Sequence, residues 1–241
     1  MPTNESSQHI VTSYDQELKR LRAMIARMGG LAEQQVDDST RALVRRDTEL
    51  AAQVVTRDAE IDALEREIEQ FSVRLLALRQ PMAADLRLII ACMKVSQDLE
   101  RIGDYARNAA KRSIVIANQP AFSSMNGFSR LAHLVQENLK GAIDALVNDD
   151  VARADEVWAS DEQVDDIYNG IFRELLTFMM EDPRNITAAT HLLFVAKNLE
   201  RIGDHATNIA ERVHFAVVGE NLPDERPKAD SSAYAVVRAP D

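Results

Sequence analysis

The chain has 241 residues, 46% of them hydrophobic, enough for one large domain or two small ones with a real core. Its 39 acidic side chains outnumber 28 basic ones, and the resulting net charge of -11 repels phosphate backbones and excludes general nucleic-acid binding. Cys92 is the single cysteine, no basic-then-apolar leader opens the chain, and no run approaches the ~18 apolar residues of a membrane span, so a cytoplasmic protein without membrane insertion is expected.

Apolar residues recur at spacings of three and four along most of the chain, which predicts amphipathic helices and no strands. The first is expected from His9 to Arg45, with Gly29 and Gly30 as a tolerated interruption or a bend. A second covers Thr48–Leu78, with Ile61, Leu64, Ile68, Phe71, Leu75 and Leu78 as its seam. The third is predicted to open at Pro81, with Asp85 near the positive end of its dipole and a seam running from Leu88 through Cys92, Val95, Leu99, Ile102 and Ala106 to Ala109. Asn118–Gly127 is turn-forming and reads as a link. Further helices are expected over Ser129–Asn148, Val151–Glu181 and Asn185–Val218. Trp158, Phe178, Met179 and Met180 read as core, and the proline-containing tail after Gly219 is expected to be disordered.

The six residues LERIGD occur at Leu99–Asp104 and again at Leu199–Asp204. Asp47 pairs with Asp150, Asp58 with Asp161, Asp62 with Asp165, Ile68 with Ile171 and Pro81 with Pro183, an ordered ladder that signals duplication of a whole half. The fold class is therefore all-α, a tandem repeat of two elongated three-helix bundles over residues 1–117 and 128–219, joined by 118–127 and followed by a tail at 220–241.

Positions four apart nearly align on a helix. Glu100, Asp104 and Asn108 form one oxygen-bearing row, and Glu200, Asp204 and Asn208 form its copy. Each row continues a second apolar line, Leu86, Ile90 and Met93 in one half and Ile186 and Leu193 in the other, so it should border a groove. Asp58, Asp62, Glu65 and Glu69 fall on one flank of the second helix, and Asp161 and Asp165 take the matching flank. Gathered carboxylates repel one another unless a cation neutralises them. Two readings stand side by side: ordinary solvated faces, with Arg101 and Arg107 paired to Asp104 and Arg201 to Asp204, or sites for hard metal ions. His205 adjoins Asp204 but points away from the row and reads as a surface or core histidine. No Glu-x-x-His pair, nucleophile elbow or glycine-rich phosphate loop is present.

MGGLAEQQ, RQPMAADLRLI, TFMMEDPR and the paired LERIGD motifs, in that setting, resemble the PhoU family of accessory regulators of phosphate-specific transport, over about Tyr14 to Val218. The resemblance implies a cytoplasmic, often dimeric protein that represses the phosphate-starvation response when phosphate is plentiful. It implies contact with PstB, the ATPase subunit of the PstSCAB importer, and with the sensor kinase PhoR. It further implies multinuclear metal clusters, iron in some members with zinc, manganese or magnesium as alternatives, on (E/D)xxxD motifs. Those motifs fall on Glu100 and Asp104, Glu200 and Asp204, Asp58 and Asp62, and Asp161 and Asp165, with Asn108 and Asn208 joining on helical geometry alone. The competing class is a carboxylate-bridged metalloenzyme such as a hydrolase, and an inert helical scaffold is the third.

Overall fold

The computed structural model describes residues 4–119, 122 and 125–223, all helical apart from turns and connections. Helices α1 (Asn4–Arg45), α2 (Thr48–Arg79) and α3 (Ala83–Ile116) form the first bundle. The second consists of α4 (Asn126–Asn148), α5 (Val151–Ala159), α6 (Asp161–Glu181) and α7 (Ile186–Val218). The broadest helix contact lies between α3 and α7, and α1 also packs on α4, so the bundles meet along two lines.

The two halves repeat even in their turns. After α1, Arg46 adopts a left-handed conformation (φ 56°) and Asp47 caps α2, accepting from the Leu50 amide at 2.9 Å. After α4, Asp149 does the same (φ 55°) and Asp150 caps α5, accepting from the Arg153 amide at 3.0 Å. In both, a backbone amide reaches back over the helix end, from Asp47 to Ala42 and from Asp150 to Ala145, satisfying a carbonyl that would otherwise be orphaned.

Several helix boundaries differ from those predicted. Pro81 does not open α3: Gln80 takes the left-handed region after α2 (φ 48°), and α3 begins at Ala83 after an extended Met82. A proline removes a donor and pushes its predecessor out of right-handed helix, so here it ends one helix instead of starting the next. Asp85 still sits in the first turn of α3. The helix predicted over Val151–Glu181 breaks at Ser160, whose hydroxyl donates to the Val157 carbonyl at 2.7 Å and competes for a helical acceptor. Helix α4 starts at Asn126, ahead of the predicted Ser129, and a 3-10 turn at Pro183–Asn185 precedes α7. Gly29 and Gly30 interrupt nothing; α1 runs through them. Of the tail, residues 224–241 lie outside the described residues.

The predicted seams are buried except at the end of α2, where Phe71 is only partly buried and Leu78 is 66% exposed, and one continuous apolar cluster joins the interiors of both bundles. Cys92 is inside it, and burial pushes its thiol up to about 12, so it is inert as a nucleophile. Trp158, Phe178 and Met179 pack against this core, but Met180 is exposed, contrary to its prediction as core. Arg22 of α1 ties the halves from outside, donating to both carboxylate oxygens of Asp149 at 2.8 and 2.9 Å.

Candidate functional site

Each letter of LERIGD has a separate task. Leu99 and Ile102, like Leu199 and Ile202, are core residues of the α3 and α7 seams. The glycines admit neighbouring side chains: a Cβ on Gly103 would stand 3.0 Å from Ile61 Cδ1 and 3.3 Å from Asp58 Oδ1, and one on Gly203 would stand 2.9 Å from Val164 Cγ1. The room beside the acid row therefore holds α2 or α6. In the first repeat Glu100 and Arg101 are left to the groove side.

In the first repeat the structure divides the predicted acids into two groups. Asp58 is buried, accepts from Gln35 Nε2 at 2.8 Å and is ion-paired with Arg107. Arg107 also binds Asp104 Oδ1 at 2.5 Å, so one guanidinium joins the two carboxylates. Burial pushes the Asp58 carboxyl up from its ordinary value against the pull of Arg107, with Asp62 and Asp104 adding repulsion. Here the predicted ion pairing holds, and Arg101 adds a longer contact to Asp104 at 3.6 Å. Asn108 is half-buried one turn beyond Asp104.

The second group faces a cavity of about 540 Å³ between α2, α3 and α7, where Asp62, Glu65 and Glu100 share the lining with Arg66 and Arg101. Burial raises the carboxyl of Glu100, and the charges of Asp104, Asp62 and Glu65 raise it further; Glu65 is raised by burial and by Glu69. These hard oxygen donors, strained by one another's charge, fit a divalent cation. Among the described residues no three His, Cys, Asp or Glu side chains already converge on a metal-holding point, so occupancy would require their side chains to rotate inward.

In the second repeat Asp161, Asp165 and Glu200 are 3, 4 and 5% exposed, deeper than a solvated face allows. Thr207 Oγ1 donates to Asp161 Oδ1 at 3.2 Å, and Lys197 Nζ lies 2.9 Å from Glu200 Oε1. Asp204 and Asn208 are half-buried on the same stretch of α7. Arg201 places its guanidinium 5.6 Å from the centre of the Tyr105 ring.

Sequence reasoning missed the centre of the interface between the repeats. Asp98, buried on α3, accepts from His205 Nδ1 at 2.9 Å and from Arg212 Nε at 2.6 Å, both on α7. His205 also lies 5.6 Å from the Tyr105 ring. It is thus a partner of a buried carboxylate across the interface, and it lines the same cavity as Glu100. The available signal was Asp98 standing where the second repeat has Asn198, a charge on a mostly apolar seam.

The PhoU domain family matches this chain twice, over residues 25–113 and 128–213. The chain belongs to the PhoU family. It is 53% identical over 225 residues, 93% of its length and 98% of the relative's, to the phosphate-specific transport system accessory protein PhoU homolog of Caulobacter vibrioides. The homolog of the same name in Rhizobium meliloti is 47% identical over 95% of this chain and 97% of its own. The crystal structure of PhoU from Pseudomonas aeruginosa superimposes with a TM-score of 0.81 at 42% identity, covering 86% of this chain and all of that one. That of the phosphate transport system regulatory protein PhoU from Streptococcus pneumoniae gives 0.81 at 28% identity, covering 87% of this chain and 99% of that one. The family is one of accessory and regulatory proteins, not of enzymes. Among the described residues no helix of this member is long and apolar enough to cross a membrane.

Proposed function

We propose that this protein is a cytoplasmic regulator of phosphate uptake that couples the PstSCAB importer to the kinase PhoR, by contact with PstB, and represses the phosphate-starvation response when phosphate is plentiful. The observation that carries this reading is the near full-length correspondence, 53% identity over 93% of the chain, to a relative named as a phosphate-transport accessory protein. The hydrolase alternative has no comparable support, since the relatives are named as accessory and regulatory proteins of phosphate transport.

Metal binding belongs to the same proposal. Asp58, Asp62, Glu100, Asp104 and Asn108 in the first repeat, and Asp161, Asp165, Glu200, Asp204 and Asn208 in the second, would hold it, with Glu65 at the cavity edge beside the first set; the ion would supply positive charge that neutralises the clustered carboxylates and stiffens the face around them. A homodimer is the assembly expected to present these faces. The test is titration of purified protein with PstB and with the cytoplasmic region of PhoR. Binding that weakens with salt, as an acidic surface demands, supports the proposal, and absence of binding to both defeats it.

A further inference from the structure

The duplication leaves a two-fold relation in the structure, because contacts between α3 and α7 come in exchanged pairs of equivalent positions. Arg201 packs on Tyr105, and Arg101 shares a cavity with His205. Arg112 meets His191 and Phe194, and Arg212 lines a groove with Ala91 and Lys94. Residues that are each other's counterpart can touch only beside the axis of such a relation. Tyr105 and His205 are counterparts, and their ring centres lie 5.6 Å apart. The axis therefore passes between α3 and α7 at these two rings.

On the face where these rings lie, the helical turn puts Leu86, Ile90, Gln97, Arg101 and Val115 on one stripe of α3. The matching stripe of α7 carries Ile186, Phe194, Arg201 and Phe215. Each stripe is apolar at both ends and charged in the middle. Leu86, Ile90 and Val115 are 37, 38 and 41% exposed, and Ile186 and Phe194 are 48 and 51% exposed, so no described element covers them. Leu86 and Val115 stand ~44 Å apart along α3, at ~1.5 Å per residue. The exposed charges of the stripes are cations, Lys94, Arg101 and Lys111 on α3 and Arg201 on α7, in a chain whose net charge is -11. Arg101 keeps a 60% exposed side chain despite contacts of 3.5 and 3.6 Å to Glu100 and Asp104.

Apolar ends and a cationic middle, repeated about an axis, match a partner that has an axis of its own. A second copy of this chain does not fit, because a self-complementary contact would press Lys94, Arg101 and Arg201 toward their own copies. We propose that the outer face of α3 and α7 docks a two-fold symmetric protein dimer, acidic beside its axis and apolar farther out, with one chain seated across both partner subunits. Each repeat then meets one partner subunit through equivalent positions. The proposal rests on the reading that this protein couples the importer to the kinase, and adds to it the docking face and the stoichiometry.

Binding titrations and native mass spectrometry of the full-length protein with two probes test this: the importer assembled in nanodiscs, and the dimeric cytoplasmic region of the kinase. One chain per two ATPase subunits, or per two kinase subunits, is expected. Leu86→Asp and Ile186→Asp change equivalent exposed positions, and each should weaken that binding at least about tenfold, the two losses agreeing within about threefold. Arg101→Glu and Arg201→Glu make the same comparison through charge. Val44→Asp, exposed on α1 outside this face, leaves binding unchanged. Melting curves establish that each variant is folded. Two chains per partner dimer overturn the proposal, and so does a loss confined to one variant of either pair. Binding that none of the four variants moves overturns it while leaving the coupling reading intact. Absence of binding to both probes defeats the two together, so the failures are distinguishable.

Discussion

Asp98 on α3 takes hydrogen bonds from two residues of α7, His205 at 2.9 Å and Arg212 at 2.6 Å, and so fastens one repeat to the other with a single buried carboxylate. An ionised carboxylate can only accept, which fixes a proton on His205 Nδ1. Asp98→Ala leaves Arg212 facing a cavity without its counter-charge. The expected loss is roughly 3 kcal/mol, toward the lower end for a broken buried pair because Arg212 and His205 keep partial contact with water. Denaturant unfolding should show it, and Asp98→Asn should lose less because the amide oxygen still accepts. A loss within ±0.5 kcal/mol for Asp98→Ala would remove this contact from the forces holding the repeats together.

Adjacent glycines in α1 should respond in opposite directions. A Cβ on Gly30 meets nothing within 4 Å, so Gly30→Ala gains helix propensity, about 1 kcal/mol, without penalty. On Gly29 it would stand 2.9 Å from Ile143 Cγ1 on α4, where the bundles pack, and the strain of overpacking offsets that gain. Thermal melting should rise for Gly30→Ala and stay level or fall for Gly29→Ala. A rise of equal size in both would mean that α1 and α4 are less closely packed than described.

Stability should increase as the pH falls from neutrality toward the carboxylate range. Glu100, Glu65 and Asp58 have carboxyls raised in the fold, so they oppose folding when ionised; that opposition is relieved as pH falls through their raised values and is gone below their unfolded ones. Glu17 and Asp182 act in the other direction. Arg79 and Arg184 hold their carboxyls low, and the stability they contribute above their unfolded values is lost as pH falls through the lowered ones. The melting temperature should therefore pass through a maximum on the acid side of neutrality. Glu100→Gln should melt higher than the native protein at pH 7 and show a shallower rise. A steady decline from pH 7 downward contradicts this.

A divalent cation should substitute for those protons. At 100 times its dissociation constant a ligand confers ~2.7 kcal/mol, readily visible as a melting shift. Magnesium or manganese is expected to stabilise the native protein, and replacing Glu100, Asp104, Glu200 and Asp204 with alanine should abolish the response. If the substituted protein melts higher and no divalent ion stabilises the native one, the acid rows are faces held by their arginines and lysine alone.

The fold was legible because long amphipathic seams and an internal duplication are local, periodic signals; Leu99, Ile102, Leu199 and Ile202 are buried as their spacing requires. Boundaries were less so. Pro81 fits a first helical position equally well whether the preceding turn continues or ends, and only Gln80 in the left-handed region decides it. The acid rows were legible as rows, but periodicity along one helix cannot say which neighbour faces it. Asp58 turned out to share Arg107 with Asp104, while Asp62, Glu65 and Glu100 turned to the cavity. Asp98, His205 and Arg212 meet across the two repeats, 107 and 114 positions apart in sequence, where no local pattern connects them.

The proposed role as a repressor linking phosphate import to a kinase is tested by measuring transcription of phosphate-starvation genes in phosphate-rich medium in a strain lacking this protein and any other member of its family. Transcription should be high despite abundant phosphate, and return to the repressed level when the native gene is restored. Repression that remains normal without the protein would contradict that role.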